Sequence, residues 1–339
     1  MNYEIVNFES KDRWSQIVEK IGNSQLENQY NFINIFKKYK EEYIPELFYY
    51  KNRNSEVAYI YIKKKYSKNN FYHIFTPYCY GGFIINDESE RFFSSFREEF
   101  NNYALKNKII TEFVRLHPMT FKCKDYFKHY FDIFKLHSEN LYFDTKLSDN
   151  SFPYHNRKKR HLQIAKSNKE LIFKFDDKLN FNQFFKIYND NMKRKNVTGF
   201  LNFNKYFFDL INNNIKNSFY FPTVSFNNKI IAAAIFLKNK NFLDLYLAAS
   251  DYDYLDKNAN TLLFYEFVEN IKKNYEFFQK IHLGGGSDNL KFFKSNFADT
   301  KKDYYIIKNI VNKNEYFKIS NEKNLKKILE SEFPDKKFI

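Results

Sequence analysis

The chain has 339 residues, which is long enough for two domains, and 21% of them are aromatic, which supplies apolar area for two cores. No stretch reaches the roughly 18 unbroken apolar residues of a membrane span, and Met1 to Lys20 lack the apolar core of a secretory signal, so we expect a cytoplasmic protein without a transmembrane segment. Lysine and arginine total 55 against 40 acidic residues, which gives a net charge of +15. This charge indicates an anionic partner such as nucleic acid, a nucleotide sugar or a membrane surface. An AT-rich coding bias toward lysine would also produce the positive charge.

In the N-terminal half, the spacing of apolar residues predicts a helix, a meander of antiparallel strands, a second helix and a further strand. The predicted elements are a helix (residues 32–40), three strands (46–50, 57–63 and 71–75), a helix (91–106) and a strand (110–116). Gly81 and Gly82 lie in the loop before the second helix. A polar stretch over residues 148–153 then ends in a proline and predicts a joint between two domains.

A basic helix over residues 154–169 opens the second half. It contains the run Arg157-Lys158-Lys159-Arg160-His161, which either contacts tRNA or nucleotide phosphates or forms a solvated helix face. The elements predicted after it are two helices (181–195 and 206–212), three strands (219–226, 229–237 and 242–249), a helix (259–274) and a strand (280–283). The order of the first half thus recurs after about 160 residues, which indicates a duplicated domain.

We expect an N-terminal domain over residues 1–150, a catalytic C-terminal domain over 151–313 and a helical tail over 314–339. Meander, helix and strand form the core of the acetyltransferase-like (GNAT) fold. The sequence therefore predicts an α/β (α+β) protein of two tandem GNAT-like domains, each a mixed, partly splayed sheet flanked by helices.

Cysteines and glycines add two further expectations. Cys79 and Cys123 lie in no CxxC or His–Cys cluster, so we expect packed thiols and no metal. Five of the seven glycines fall in two clusters, Gly81–Gly82 and Gly284–Gly286. In a glycine-poor chain, such clusters indicate a positive φ or a close approach of the backbone to a ligand.

In a GNAT-like domain, the acyl donor lies at the N-terminus of the helix after the fourth strand, where free N–H groups favour phosphates. Here that junction reads SDYDYLDKNAN (residues 250–260), without the glycine-rich loop of CoA-using members. Asn258 or Asn260 is expected to cap the helix. We count Asn260 among the candidate substrate-binding residues.

Several short strings are distinctive in combination. They are TPYCYGG (Thr76–Gly82), NMKR (Asn191–Arg194), YF (Tyr206–Phe207), YLAAS (Tyr246–Ser250), ANTLLFYE (Ala259–Glu266), HLGGG (His282–Gly286) and LKFFKSNF (Leu290–Phe297). Together, over roughly residues 25–312, they resemble the Fem-type peptidoglycan-bridge aminoacyltransferases and the related FemAB-like acyltransferases of the GNAT-like family.

The resemblance implies an acyltransferase or aminoacyltransferase that forms an amide on an amino group of a cell-envelope precursor, either an amino sugar or a peptide. The donor would be an acyl-CoA or an aminoacyl-tRNA, acting as a substrate, with no permanently bound cofactor. No covalent intermediate is implied, so the enzyme must position two substrates and stabilise an oxyanion. The implied partners are the amine-bearing acceptor, tRNA and the membrane surface, and both a monomer and a dimer remain open.

The resemblance also implies catalytic residues. The family's lysine after the triple-glycine strand matches Lys294, beside Phe293, and would offset an oxyanion or a donor phosphate. Tyr246 and His282 lie on the two strands that splay apart in this fold, and either would relay the amine proton. The glycines that would line the substrate cleft are Gly284, Gly285 and Gly286.

Further candidates concern the acceptor. Tyr78 and Tyr80 would line its cleft, and Tyr206 matches a family tyrosine. The relatives carry a phosphate-contacting arginine four residues before this tyrosine, where this chain has Asn202, and Arg194 is the candidate substitute. The competing interpretation is a non-catalytic nucleic-acid-binding protein that uses its basic charge and interleaved tyrosines, although the sequence has no RNP or KH signature.

Overall fold

A computed structural model describes residues 2–22, 25–66, 70–146, 156–196, 201–298 and 300–319. The predicted joint at residues 148–153 and most of the predicted tail lie outside this part of the chain. Of the helices that can be described, none is both long and apolar enough to cross a lipid bilayer.

The predicted elements occur in the predicted order in each half, and further helices and strands that the sequence analysis did not predict accompany them. The first set comprises β1 (Tyr3–Asn7), α1 (Lys11–Ile21), α2 (Tyr30–Tyr39), β2 (Ile44–Asn52), β3 (Ser55–Lys65), β4 (Tyr72–Phe75), β5 (Gly82–Ile85), α3 (Glu90–Lys106), β6 (Ile109–Arg115) and β7 (Ile133–Asp144). The second set comprises α4 (Asn156–Ser167), β8 (Leu171–Lys174), α5 (Phe181–Arg194), α6 (Lys205–Ile215), β9 (Phe219–Tyr220), β10 (Thr223–Phe226), β11 (Lys229–Lys238), β12 (Phe242–Ser250), α7 (Ala259–Asn274), β13 (Lys280–Gly284), α8 (Asp288–Lys294), β14 (Thr300–Ile310) and α9 (Lys313–Ile319).

The chain forms two compact units, which are Met1–Ser138 with Asp303–Ile339, and Glu139–Lys302. In the first unit the strand order is β1-β2-β3-β4-β6-β14, and β5 also pairs with β3. Strands β4 and β6 run parallel, with α3 between them in sequence, and their neighbours pair antiparallel.

The second unit repeats this pattern. Its strand order is β7-β13-β12-β11-β10-β8, and β9 also pairs with β11. Strands β12 and β13 run parallel, with α7 between them in sequence, while β11 and β12 pair antiparallel. The predicted repeat of meander, helix and parallel strand is therefore present in both units.

The last strand of each repeat pairs outside its own half of the sequence. Strand β7 follows β6 but pairs with β13, and β14 follows β13 but pairs with β6. The compact units consequently divide after Ser138 and after Lys302, whereas the sequence predicted domain ends near residues 150 and 313. The alternation of apolar residues shows that a segment is a strand but does not identify its partner.

A buried ion pair holds β14 in the first unit. Arg97 of α3 donates from Nη1 and Nη2 to the two carboxylate oxygens of Glu112, at 3.0 and 2.7 Å. Asn309 of β14 donates to the same carboxylate at 2.6 Å, and the Tyr59 hydroxyl donates to it at 3.2 Å. These bonds satisfy a carboxylate that would otherwise be unstable in an apolar interior.

The core of the second unit forms between α7 and the strands beneath it. Helix α7 buries an apolar stripe that includes Leu263, Phe264 and Phe267. The Phe267 ring stacks on Phe236 of β11, with ring centroids 4.0 Å apart. This packing fixes the N-terminus of α7 relative to the strands that carry the candidate catalytic residues.

Candidate active site

Strands β12 and β13 pair with each other only at their beginnings. The paired positions are Phe242 with Lys280, Leu243 with Ile281 and Asp244 with His282. Beyond them, β12 continues to Ser250 alongside β11, while β13 ends at Gly284. The parallel strands thus diverge after Asp244 and His282, as the predicted splayed sheet requires.

A buried polar network lies at the point of divergence. His282 Nδ1 is 2.6 Å from Asp244 Oδ1, and Asn239 donates to Asp244 Oδ2 at 2.5 Å. Asn140 Nδ2 is 3.2 Å from His282 Nε2. With Asp244 as the acceptor of both bonds, Nδ1 of His282 carries the proton and Nε2 accepts from Asn140. The network therefore fixes the orientation and the tautomer of His282.

This environment bears on the role predicted for His282. The side chain is 1% exposed, and both of its ring nitrogens take part in the network. The geometry is that of a positioning group which links β12 and β13 at the last pair before they diverge. A proton-relay role for His282 stays a prediction.

Tyr246 occupies a β-bulge in β12. Strand β11 pairs Phe236 with Leu245 and Ile235 with Leu247, so Tyr246 is the extra residue between these pairs. A bulge changes the direction of the side chain and bends the strand. Tyr246 is buried and lies two residues beyond Asp244, on the part of β12 that has separated from β13.

The triple glycine and Lys294 lie together in the second unit. Gly284 and Gly286 have φ values of 73° and 130°, in the region that favours glycine. Helix α8 follows, and its last residue, Lys294, points back so that Nζ donates to the carbonyl oxygen of Gly285 at 2.6 Å. The Lys294 side chain is buried, so the corner after β13 holds an ammonium group out of bulk solvent.

Phe293 anchors α8 on the core. Its ring centroid lies 5.5 Å from Phe264 and 5.3 Å from Phe297. Lys158 of α4 lies over the same ring, with Nζ 4.8 Å from the Phe293 ring centroid and 3.4 Å from Thr261 Oγ1. Burial, reinforced by the charge of Arg157 (on α4), lowers the pKa of Lys158.

The candidates near the ends of α5, α6 and α7 are more peripheral. Arg194 is exposed and lies over the Tyr252 ring at 4.4 Å, and Tyr206 is also exposed. Asn260 is half-buried in the first turn of α7, and its Oδ1 has no hydrogen-bond partner within the described ranges. The structure shows no contact that would join these three side chains to one another.

Asn258, and not Asn260, occupies the position that precedes α7. It adopts a left-handed conformation with φ of 56°, and its side chain makes no capping bond. The side-chain amide donates instead to the carbonyl oxygen of Asp256 at 2.9 Å. The expectation that an asparagine side chain caps this helix is wrong for Asn258, because the amide is held by the preceding turn.

Tyr78 and Tyr80 belong to the first unit. Both are half-buried, and the Tyr80 ring packs against His117 and Tyr304 with centroids 4.9 and 5.3 Å away. Gly81 lines a cavity of about 220 Å³ in this unit. The aromatic side chains of the cavity are Phe83, Phe93, Phe121, Tyr126 and Phe127.

Sequence reasoning missed the residues that support the site. Asp244, Asn239 and Asn140 received no role. Asn239 precedes Asp244 by five residues, but Asn140 and His282 are distant from both in sequence, so no spacing connects the network. The one local signal was Asp244 itself, an acidic residue inside the otherwise apolar strand FLDLYLAAS. A buried carboxylate requires hydrogen-bond partners, and its position indicates a polar network.

No protein-family model matches the chain, and no curated protein matches its sequence. Among solved structures, FemX is similar with a TM-score of 0.71 at 11% identity, over 94% of this chain and 100% of FemX. The C-terminal domain (DUF2156) of a putative lysylphosphatidylglycerol synthetase from Agrobacterium fabrum has a TM-score of 0.58 at 12% identity, over 90% of this chain and 92% of that domain.

A tandem GNAT protein from the clavulanic acid biosynthesis pathway is also similar, with a TM-score of 0.50 at 7% identity, over 90% of this chain and 98% of that protein. At such identities the similarity is one of fold. It confirms the predicted fold class and, at the level of the fold, the predicted resemblance to Fem-type proteins. The chain is a mixed α/β protein with the tandem GNAT-like fold that FemX and its structural relatives share.

Proposed function

We propose that the chain is a transferase that joins an acyl or aminoacyl group to an amine of a cell-envelope component. The observation that carries the proposal is the contact between Lys294 and Gly285 beside the diverging strands β12 and β13. The fold shared with FemX and with a putative lysylphosphatidylglycerol synthetase supports the same class of reaction.

The chemistry of amide formation fits this arrangement. An amine nitrogen attacks the carbonyl carbon of an ester or thioester, and the carbonyl oxygen gains negative charge in the tetrahedral intermediate. Lys294 supplies a buried positive charge near this position, and its bond to Gly285 keeps the ammonium in place. Such a charge stabilises the transition state more strongly in a buried site than it would in water.

The proton balance requires one further group. As the new C–N bond forms, the C–O or C–S bond of the donor breaks, and the proton lost by the amine ends on the departing hydroxyl or thiol. Tyr246 is our first candidate for relaying this proton, because the bulge re-aims its side chain on the diverging part of β12. His282 is the second candidate, since its ring nitrogens are already engaged by Asp244 and Asn140.

The substrates follow from the same proposal. The donor is an acyl-CoA or an aminoacyl-tRNA, and the acceptor is an amino sugar or a peptide. Arg194 and Tyr206 are the proposed acceptor contacts in the second unit. Tyr78 and Tyr80 stay separate candidate substrate contacts of the first unit. The protein is expected to meet the membrane surface at most peripherally.

A donor screen tests the proposal. The purified full chain is incubated with labelled acetyl-CoA or with tRNA charged with labelled amino acids, each with an amino-sugar nucleotide or a muropeptide. Label in an amide of either acceptor supports the proposal, provided that Lys294→Met lowers the rate and Lys291→Met on the same helix does not. If no donor–acceptor pair yields an amide, the proposal is wrong.

A non-catalytic nucleic-acid-binding protein is the second candidate function. It is favoured by the cationic face of α4, where Arg157 and Arg160 are exposed to solvent. The two functions differ in the donor screen, because a binding protein would retain charged tRNA without releasing its amino acid to an acceptor.

A further inference from the structure

Strand β8 (Leu171–Lys174) is the outermost strand of the second unit. It pairs on one side with β10, from Leu171 opposite Phe226 to Lys174 opposite Thr223. Among the residues that the structure describes, no strand pairs with its other side. The outer edge of a terminal strand presents backbone N–H and C=O groups, which are able to pair with a further strand.

The side chains of β8 alternate between a covered and an open face. Leu171 and Phe173 are partly buried and pack against the core of the second unit, as does Phe175 just after the strand. Ile172 lies on the opposite face and is 50% exposed, next to Ser225 of β10. A single exposed isoleucine is common on protein surfaces, but this one lies at an unpaired sheet edge.

Two charges of opposite sign flank Ile172 at equal distances along the chain. Glu170 comes directly before β8, is exposed, and makes no ion pair in the described ranges. Its backbone N–H donates to the side chain of Asn168 at 3.0 Å, which holds the turn that leads into the strand. Lys174 ends the strand with 52% of its side chain exposed, and its nitrogen lies 3.6 Å from Asp177. Both charges are therefore accessible to a partner at this edge.

A second copy of β8 complements this pattern. When two identical strands pair antiparallel about a two-fold axis, residues at equal distances from the central residue face each other. With Ile172 at the centre, the two Ile172 side chains meet, and Glu170 of each copy faces Lys174 of the other. Glutamate and lysine side chains are long, so their charged ends are able to meet although Glu170 lies just outside the strand.

The neighbouring registers lack this complementarity. A pair centred on Phe173 would bring Glu170 opposite Asp176 of the other copy, and two like charges that face each other destabilise a ladder. A pair centred on Leu171 would bring Glu170 opposite Ile172, without an ion pair. The charges of this short segment therefore favour the register that is centred on Ile172.

The outer strand of the first unit does not share the pattern. Strand β1 (Tyr3–Asn7) pairs with β2 on one side. A two-fold pair centred on Ile5 would place Glu4 opposite Val6, so no ion pair would form across it. Glu4 is also bound already to Arg13 of α1, at 2.6 Å. A lysine at a sheet edge usually prevents pairing with another strand, whereas the lysine of β8 would meet a glutamate.

We infer that the chain forms a two-fold dimer through antiparallel pairing of β8 with β8 of a second copy. The pairing joins the sheets of the two second units, and it does not depend on the proposed function. Apolar pairs and pairs of opposite charge across the new ladder stabilise it, together with the backbone hydrogen bonds. Because β8 has only four residues, the interface is small, and we expect a weak and reversible dimer.

Sedimentation equilibrium of the full chain tests the inference, at concentrations from about 1 to about 200 µM and at low salt, where exposed ion pairs are least screened. The wild type should dimerise as its concentration rises. Glu170→Lys and Lys174→Glu should each raise the dimer dissociation constant at least about tenfold, because each turns both ion pairs into like-charge contacts. Lys240→Glu, in the exposed turn between β11 and β12, is the control and should dimerise as the wild type does.

A mixture of the two single variants distinguishes specific pairing from a general effect of charge. In a mixed dimer of Glu170→Lys with Lys174→Glu, one strand carries two positive charges and the other two negative charges, so both ion pairs form again. The mixture should therefore dimerise more strongly than either variant alone. The double variant Glu170→Lys/Lys174→Glu, which reverses both pairs, should associate like the wild type. A mixture that associates as weakly as its components would overturn the inference.

Hydrogen exchange locates the surface. Raising the protein concentration should slow the exchange of backbone amides in β8 and leave those of β1 unchanged. Ile172→Lys, which places two like charges at the centre of the pair, should abolish both the slowing and the dimer. A chain that stays monomeric up to about 200 µM, or a dimer that forms without protection of β8, contradicts the inference. A chain whose β8 pairs only with segments of other proteins would remain monomeric and give the first of these two results.

Discussion

Lys294 and Gly285 are joined by a hydrogen bond of 2.6 Å from the lysine ammonium to the glycine carbonyl oxygen. The bond closes the corner between the end of β13 and the end of α8. It places a buried positive charge beside the strands that diverge after Asp244 and His282. A hydrogen bond from a charged donor is stronger than one from a neutral donor, and it strengthens further when the donor is removed from water.

Replacement of Lys294 by methionine should lower kcat by roughly ten- to a thousand-fold, the range expected when one electrostatic contact to the transition state is lost. The Michaelis constants should change less, because the substrates are held elsewhere. Steady-state kinetics with the donor found in the screen provide the measurement, and Lys291→Met on α8 is the control. A raised Michaelis constant for the donor at unchanged kcat would make Lys294 a phosphate anchor instead.

Gly286 should not tolerate a side chain. Its φ is 130°, and an added Cβ would lie 2.6 Å from Leu290 Cδ2 and 3.1 Å from Leu290 Cγ. Gly286→Ala is expected to lower the free energy of unfolding by about 1–3 kcal/mol, from backbone strain and this clash. Urea denaturation measures the loss.

The double variant Gly286→Ala/Leu290→Ala distinguishes the two causes. In the Leu290→Ala background, Gly286→Ala should lower the free energy of unfolding less than it does in the wild type, because the clash with Leu290 is gone. The loss that remains is due to backbone strain. If Gly286→Ala is as stable as the wild type, the corner is able to adjust its backbone, and the argument for an obligatory glycine is wrong.

Replacement of only one partner of the Arg97–Glu112 ion pair should lower the free energy of unfolding strongly. Arg97→Met leaves a buried carboxylate with only neutral donors, such as Tyr59 and Asn309, and should lower the free energy of unfolding by about 3–5 kcal/mol. Arg97→Met/Glu112→Gln should lose less than Arg97→Met, because no unpaired charge remains. Arg91→Met, at an exposed position of α3, is the control. A double variant less stable than Arg97→Met would contradict this account.

The sequence predicted the elements whose packing follows from their own pattern. Helix α7 begins and ends at the predicted residues 259 and 274, because its apolar stripe and its polar flanks are both local. Helix α1 was missed, although its buried face, Trp14, Ile17, Val18 and Ile21, has regular helical spacing. Phe292 belongs to an apolar string but is 63% exposed, because α8 turns Phe293 toward the core instead.

Two parts of the fold and site could not be derived from local patterns. The pairing of β7 with β13 and of β14 with β6 depends on which strand edges the other strands leave open. The network of Asp244, His282 and Asn140 joins positions that are distant in sequence, so that no spacing rule connects them. Both depend on tertiary packing, which a single sequence does not express as periodicity.

His73 should make the free energy of unfolding depend on pH. The side chain is buried on β4, with its ring 5.1 Å from Tyr66 and 5.3 Å from Phe75. Burial, with a smaller effect of the Lys64 charge, lowers the pKa of His73 from 6.5 to about 3. Between these two values the unfolded chain binds a proton at His73 that the folded chain excludes, so acid favours unfolding.

The stabilising contribution of neutral His73 is therefore fully present above about pH 6.5 and is lost as the pH falls toward 3. Between these two pH values, His73 contributes up to about 1.4 kcal/mol per pH unit to the change in the free energy of unfolding. His73→Phe keeps an aromatic ring against Tyr66 and Phe75 but cannot titrate. Its free energy of unfolding, measured with urea from about pH 4 to 6, should fall less steeply than that of the wild type. The control His129→Phe, at an exposed position, should show the same pH dependence as the wild type. If the free energies of unfolding of His73→Phe and the wild type fall in parallel with pH, the folded protein admits the proton at His73.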